Sequence, residues 1–392
     1  MLTRRFFVTS SLGALAATAL PLRLSLAKTP GEKRFVLIIL RGGLDGLAAL
    51  PPVGDGDYAR VRGDLALAKG EVLPLDGYFA LNPALPTFAE LYATRQLLPI
   101  HAVASPYRDR SHFDAQDLLE NGGAAPRLLS SGWLGRTLAA LGGSWSGLAV
   151  GQDLPLVLRG SAATTTWAPN ALPGADTAFL ARVADLYAGD PLLGPALTAG
   201  LEANALAGEV LGSGMSGKGG GKRAEAAMAE GAARMIASAD GPRIAVLELG
   251  GWDTHANQGT TAGRLAVALR GLDAMLASLQ RGLGPAWSET AVVVVTEFGR
   301  TAAPNGTGGT DHGTGAAAFV AGGAIAGGRV LADWPGLGKG DLYDGRDLQP
   351  TTDLRSVLKG LLADHLAVPS QALEQKIFPD SAGAPPLSAL LA

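Results

Sequence analysis

The chain has 392 residues, of which 47% are hydrophobic and 17% charged, and its formal net charge is −3. That composition supplies a sizeable core and excludes global disorder, and the absence of a basic excess argues against nucleic-acid binding. There is no cysteine, which excludes a disulfide framework or thiolate metal site and leaves His, Asp, Glu, carbonyl oxygen and water as ligands.

Residues 1–27 read as a leader. Arg4 and Arg5 precede Phe6 and Phe7, and the apolar stretch LGALAATALPLRLSLA closes on Ser25-Leu26-Ala27. This is the layout of a twin-arginine signal peptide cut after Ala27. Pro21 and Arg23 interrupt a stretch that is already short for a membrane span. The expectation is export through the twin-arginine translocase to the periplasm or beyond, with no stable span after cleavage.

Farther along, RFVLIIL (34–40), LLPIHAV (97–103), RIAVLEL (243–249) and TAVVVVT (290–296) are short continuous apolar runs. Such runs mark strands covered on both faces, as in a parallel sheet. AAAFVAG (316–322) is a weaker fifth. Helical patterns alternate with them: PALPTFAELYAT (83–94), HFDAQDLLENG (112–122), RAEAAMAEGAARMIASA (223–239), TAGRLAVALRGLDAMLASLQRGL (261–283) and TTDLRSVLKGLLADHL (351–366). The last places Leu354, Val357, Leu358, Leu361 and Leu362 on one stripe. The alternation predicts an α/β fold, a doubly wound and mostly parallel sheet flanked by helices. Residues 124–222, rich in Gly, Ala, Thr and Pro, read as an insertion or cap ending in a mobile loop at 212–222. GSGMSGK (212–218) has the spacing of a phosphate loop. Gly219 follows the lysine, however, and a helical run precedes the stretch, so it reads as a linker.

Ligands bind outside the carboxyl ends of strands in an open parallel sheet. After 34–40 comes Asp45. After 97–103 come Arg108, Arg110, Ser111, His112 and Asp114. After 243–249 come Asp253 and His255, and after 290–296 come Glu297, Arg300, Asp311 and His312. Three of the five histidines are in this set. Each residue alone is ordinary turn or cap chemistry. Gathered at one sheet edge, the carboxylates would repel each other unless a cation sat among them. The predicted ligand set is Asp45, His112, Asp253, His255, Glu297, Asp311 and His312. The donors suit a divalent metal: Zn²⁺ first, with Mn²⁺, Mg²⁺ or Ca²⁺ open. Ser111, at a helix start, is a helix cap by default and a nucleophile if it faces that metal. Arg110 and Arg300 are candidate anion clamps. His101 and His365 read as structural.

LRGGLDGL, SPYRDRSHFDAQDLLENG, LGGWDTHANQ, VVVVTEFGRT and GTDHGTGAAAFVAGG, together with the leader, resemble the family called domain of unknown function 1501. That family is placed in the alkaline phosphatase and sulfatase superfamily. The resemblance covers about residues 33–367 and implies an alkaline-phosphatase-like core with a metal site at the strand ends. It implies that Asp45 ligates a metal, that Ser111 occupies the nucleophile's place, and that Asp253 and His255 serve one metal. Glu297 falls where the superfamily usually has Asp-His for a second metal, and His312 falls at the final His ligand.

The chain departs from the superfamily pattern in carrying Glu297-Phe298 in place of Asp-His. It also lacks the C/S-x-P-x-R context and the cysteine of sulfatases. The expectation is an exported metal-dependent hydrolase of phosphate-type esters, acting on a small-molecule or polymer ester. The alternatives are a non-catalytic metal- or polymer-binding protein on the same fold, a sulfatase-like hydrolase, and hydrolysis by water with no covalent step.

Overall fold

The computed structural model describes residues 33–392 apart from 144, 169–175, 192 and 212–221. The leader, and the loop expected at 212–222 except for Lys222, lie outside the described residues. An eight-stranded sheet forms the centre. Its strands are β1 (Arg34–Leu40), β2 (Leu97–Ala104), β3 (Gly147–Val150), β4 (Thr164–Trp167), β5 (Ile244–Leu249), β6 (Thr290–Thr296), β7 (Ala316–Ala321) and β8 (Thr352–Asp353). They lie in the order β8-β2-β7-β6-β1-β5-β3-β4. The helices of eight residues or more are α1 (Pro86–Ala93), α2 (His112–Asn121), α3 (Trp133–Leu141), α4 (Thr177–Tyr187), α5 (Leu193–Leu211), α6 (Lys222–Ala237), α7 (Arg264–Leu283) and α8 (Leu354–Leu366).

The central strands are apolar throughout because both faces are covered. Val36, Ile38 and Leu40 of β1 join a layer with Phe88 of α1, Ile236 of α6 and Leu269, Leu272 and Leu276 of α7. Phe35, Leu37 and Ile39 face the opposite layer, with Trp133 and Leu138 of α3 and Val357, Leu358 and Leu361 of α8. Each such fully buried side chain contributes about 1.5–3 kcal/mol relative to exposure. The predicted stripe of α8 is buried from Leu354 to Leu362. Its first turn is capped by Asp353, whose carboxylate accepts from the Arg355 amide.

β1 runs parallel to β5 and β6, and β5 parallel to β3. β7 is the exception, antiparallel to both β2 and β6. No crossover helix intervenes between β6 and β7, so residues 297–315 turn back at the carboxyl edge and stay there. The first part of the expected cap also differs from its reading, because β3 and β4 extend the sheet itself. Among the described residues, no helix is long and apolar enough to cross a membrane.

Candidate metal centre

The carboxyl ends of β1, β2, β5 and β6 share one edge, as the pairing directions require. Two glycine turns let them close on each other. Gly42 has φ +127°, and a Cβ there would lie 2.5 Å from the Asp253 amide nitrogen, so only glycine allows this approach. Gly251 has φ +91° and swings the chain off β5. Trp252 is then buried as an anchor, leaving Asp253 and His255 at the edge.

Three imidazoles meet around Asp253. His112 Nε2 is 2.9 Å from His312 Nε2, and His255 Nε2 is 3.0 Å from the same atom. Asp253 Oδ1 lies 3.1 Å from His255 Nε2, 3.3 Å from His312 Nε2 and 3.6 Å from His112 Nε2. Among the described residues, His112, Asp253 and His312 form the one group placed so that it could hold a metal ion, their ligand atoms all within 4.8 Å of one another.

The other nitrogen of each ring is committed. His112 Nδ1 is 2.9 Å from Glu297 Oε1, His255 Nδ1 is 3.0 Å from Asp311 Oδ1, and His312 Nδ1 is 2.9 Å from the Arg110 carbonyl. Those partners only accept, so Nδ1 carries the proton and Nε2 of the neutral ring presents a lone pair. Lone pairs facing one another at this range require a cation between them, a metal ion or a proton. A ring whose far N–H is held by a carboxylate or carbonyl is the support that metal-ligating histidines have. Two ligands of a tetrahedral zinc, at about 2.0–2.1 Å from it, lie about 3.3 Å apart, close to the Asp253 separations. The nitrogen and carboxylate donors fit a divalent metal.

The electrostatics keep the carboxylates ionised. Burial pushes Asp253 up, but the Arg300 guanidinium, 2.7 Å away, outweighs it and holds the carboxyl below its ordinary range. Glu297 is buried, which also raises it. Hydrogen bonds from His112, Gln116 and the Gly42 amide prevail and hold it low. The Asn305 amide lowers Asp311. The Glu297 hydrogen bond raises His112, whereas burial lowers His312.

Not every predicted site residue joins the cluster. Asp45 is buried and ion-paired at 2.6 Å with Arg62, so its charge is met by a guanidinium instead of by the histidine cluster. Glu297 and Asp311 sit behind the rings as partners of Nδ1. Arg110 pairs with Asp344 and Asp347 through Nη2 and Nε. Arg300 is spent on Asp253, the Gly42 carbonyl and Thr310. Ser111 is the N-cap residue of α2 by position, but its side chain makes no capping hydrogen bond. It stands between Arg110, whose carbonyl meets His312, and His112.

Four residues of the site went unread in the sequence: Arg62, Gln116, Gln258 and Asn305. Gln116 had a signal, since it lies one helical turn after His112 and donates to the same Glu297 at 3.0 Å. Gln258 bonds Asp45 at 2.6 Å, and Asn305 bonds Asp311 at 3.0 Å; neither position has a spacing that announces it.

A comparison with curated proteins finds no match. Among solved structures, Ps i-CgsB in complex with k-i-k-neocarrahexaose is 11% identical with a TM-score of 0.37, covering 74% of this chain and 65% of its own. This chain thus spans about 65% of the length of that structure. Murine ectonucleotide pyrophosphatase/phosphodiesterase 5 is 13% identical with a TM-score of 0.29, covering 68% of this chain and 57% of its own. The phosphonate monoester hydrolase of Agrobacterium radiobacter is 13% identical with a TM-score of 0.35, covering 86% of this chain and 74% of its own. Likenesses this distant do not assign a chemistry. The family model is more direct: it matches residues 93–377, which hold every residue of the cluster, and the chain belongs to the family described as protein of unknown function DUF1501.

Proposed function

We propose that this chain is an exported, metal-dependent hydrolase of phosphate-type esters on an alkaline-phosphatase-like scaffold. The observation that carries the reading is the meeting of the His112, His255 and His312 Nε2 atoms around Asp253, with each Nδ1 tied to a fixed acceptor. Asp253 and these histidines would hold the metal, and their nitrogen-rich donor set favours zinc over magnesium or calcium. A divalent metal, when bound, polarises an ester oxygen and stabilises negative charge that develops there. The chain's own part is positioning. Arg300 keeps Asp253 ionised and aimed, and Glu297, Asp311 and the Arg110 carbonyl fix the ring tautomers. Ser111, between Arg110 and His112 in the chain, is the candidate hydroxyl for attack on phosphorus.

The test is elemental analysis of the mature protein, purified without chelator or nickel resin, followed by a screen of phosphate mono- and diesters and sulfate esters. One bound zinc with turnover of a phosphate ester supports the reading. Metal-free protein that takes up none on titration overturns it. Bound metal with no turnover on any ester leaves a binding role on the same site.

A further inference from the structure

We propose that Asp45 is not a ligand of this centre but the root of a buried frame that aims Asp253, and that the centre therefore takes one metal ion. The inference rests on the metal reading above. Both oxygens of Asp45 are occupied. Oδ1 accepts from the Ala48 amide at 3.2 Å, and Oδ2 accepts from Arg62 and from Gln258 Nε2, each at 2.6 Å. Arg62 is fully buried and also donates to the Ala302 carbonyl at 3.0 Å, so its charge is fixed beside Asp45. A second divalent ion at Asp45 would have to displace or face that guanidinium. The cation that Asp45 needs is built into the chain.

From Asp45 the frame continues without a break to Asp253. Gln258 Oε1 accepts from the Thr254 hydroxyl at 2.7 Å and the Thr310 hydroxyl at 2.8 Å. Thr310 in turn accepts from Arg300, at its hydroxyl at 3.3 Å and at its carbonyl at 2.5 Å. Arg300 then donates to Asp253 Oδ1 at 2.7 Å. Asp253 is thus held twice, by its carboxylate through Arg300 and by its chain neighbour Thr254 through Gln258. Gln258, Thr254, Thr310 and Arg300 are all buried. Thr310, whose hydroxyl donates to Gln258 and accepts from Arg300, is a place to break the frame without touching a ligand. It is a positioning residue.

Outer partners of metal ligands are worth about 10–100-fold in metal affinity. Zinc binding to the full mature chain is measured by competition with a chromogenic chelator, and stoichiometry by elemental analysis. Thermal unfolding and circular dichroism confirm that each variant is folded. The wild type is expected to bind one zinc, as is Asp45→Asn. Thr310→Val is expected to bind about 10–100-fold more weakly, and Thr310→Ser to recover to within a few-fold of wild type. Should Thr310→Val fail to fold, Arg300→Lys keeps the charge but loses the fork and is expected to weaken zinc by the same factor. Wild-type affinity in a folded Thr310→Val overturns the frame. Two zinc ions in the wild type, with one lost in Asp45→Asn, overturn the stoichiometry. A wild type that takes up no zinc defeats the underlying metal reading, and it does so before any variant is compared.

Discussion

His112 Nε2 stands 2.9 Å from His312 Nε2, and both rings have already placed their N–H elsewhere, on Glu297 and on the Arg110 carbonyl. Two bare lone pairs at that distance repel. The arrangement is stable only with positive charge between the rings, and Asp253 Oδ1 lies within 3.6 Å of both. A proton supplies that charge at one edge of one ring. A metal ion supplies it to all of these ligands at once.

Asp253→Ala is therefore expected to lose metal and stability together. Metal bound only by the folded chain stabilises it, by about 2.7 kcal/mol when free zinc is a hundredfold above its dissociation constant. Elemental analysis and thermal unfolding with and without zinc read both quantities. In the variant the zinc-dependent increment should vanish, and unchanged metal content would falsify the ligand assignment.

The strands and the cluster were legible for the same physical reason. Burial on both faces forces an unbroken apolar run such as RFVLIIL, and the first polar residues after such a run lie at the sheet edge. β3 and β4 escaped because GLAV is short and TTTW is polar, as suits strands toward the rim of a sheet. The direction of β7 was unreadable, since an apolar run looks the same in either sense. The partners of Asp45, Arg110 and Arg300 could not be read because they lie elsewhere in the chain. Arg110, for example, is 237 positions from Asp347 in the chain. A carboxylate after a strand looks the same whether its counter-charge is a metal or a buried arginine.

The Arg62–Asp45 pair yields a stability prediction. Both side chains are buried, and removing one partner of such a pair strands the other's charge. Arg62→Met is expected to cost about 3–5 kcal/mol by urea unfolding at neutral pH. Adding Asp45→Asn to that variant should recover part of the loss, a coupling that a double-mutant cycle isolates. A loss below about 1 kcal/mol in Arg62→Met would mean that the pair is not the buried counter-charge described here.

His101 sets an acid limit that is independent of the metal centre. It lies at a bulge in β2, fully buried, with Nε2 3.0 Å from the Leu50 carbonyl and Nδ1 accepting from the Ala102 amide at 2.9 Å. The neutral ring satisfies both, whereas a second proton would displace the Ala102 bond. Burial lowers its pKa from 6.5 to about 4. Between those values the unfolded chain takes up a proton that the folded chain refuses, so this contribution is complete above pH 6.5 and is lost as pH falls toward 4. Across the whole window it amounts to about 3 kcal/mol. Urea unfolding at pH 7 and pH 4 should show the fall in wild type and a smaller one, by about that amount, in His101→Gln. Equal falls in the two proteins would remove His101 as the cause.

Ser111 decides whether a covalent step exists. Its hydroxyl does not cap α2, although position would allow it, and the residue before it, Arg110, holds φ +60°, a conformation that non-glycine residues rarely adopt. That turn points the Arg110 carbonyl at His312 and leaves Ser111 as the first residue beyond it. Ser111→Ala removes a hydroxyl that makes no capping hydrogen bond and is not one of the proposed metal ligands, so metal content and thermal stability should match wild type. Hydrolysis of a chromogenic phosphate ester should fall by about 10³-fold or more if the serine is the nucleophile. Turnover within a few-fold of wild type would mean that water attacks directly. The burst phase that a phosphoserine intermediate produces in the wild type would then be absent as well, so the two measurements must agree.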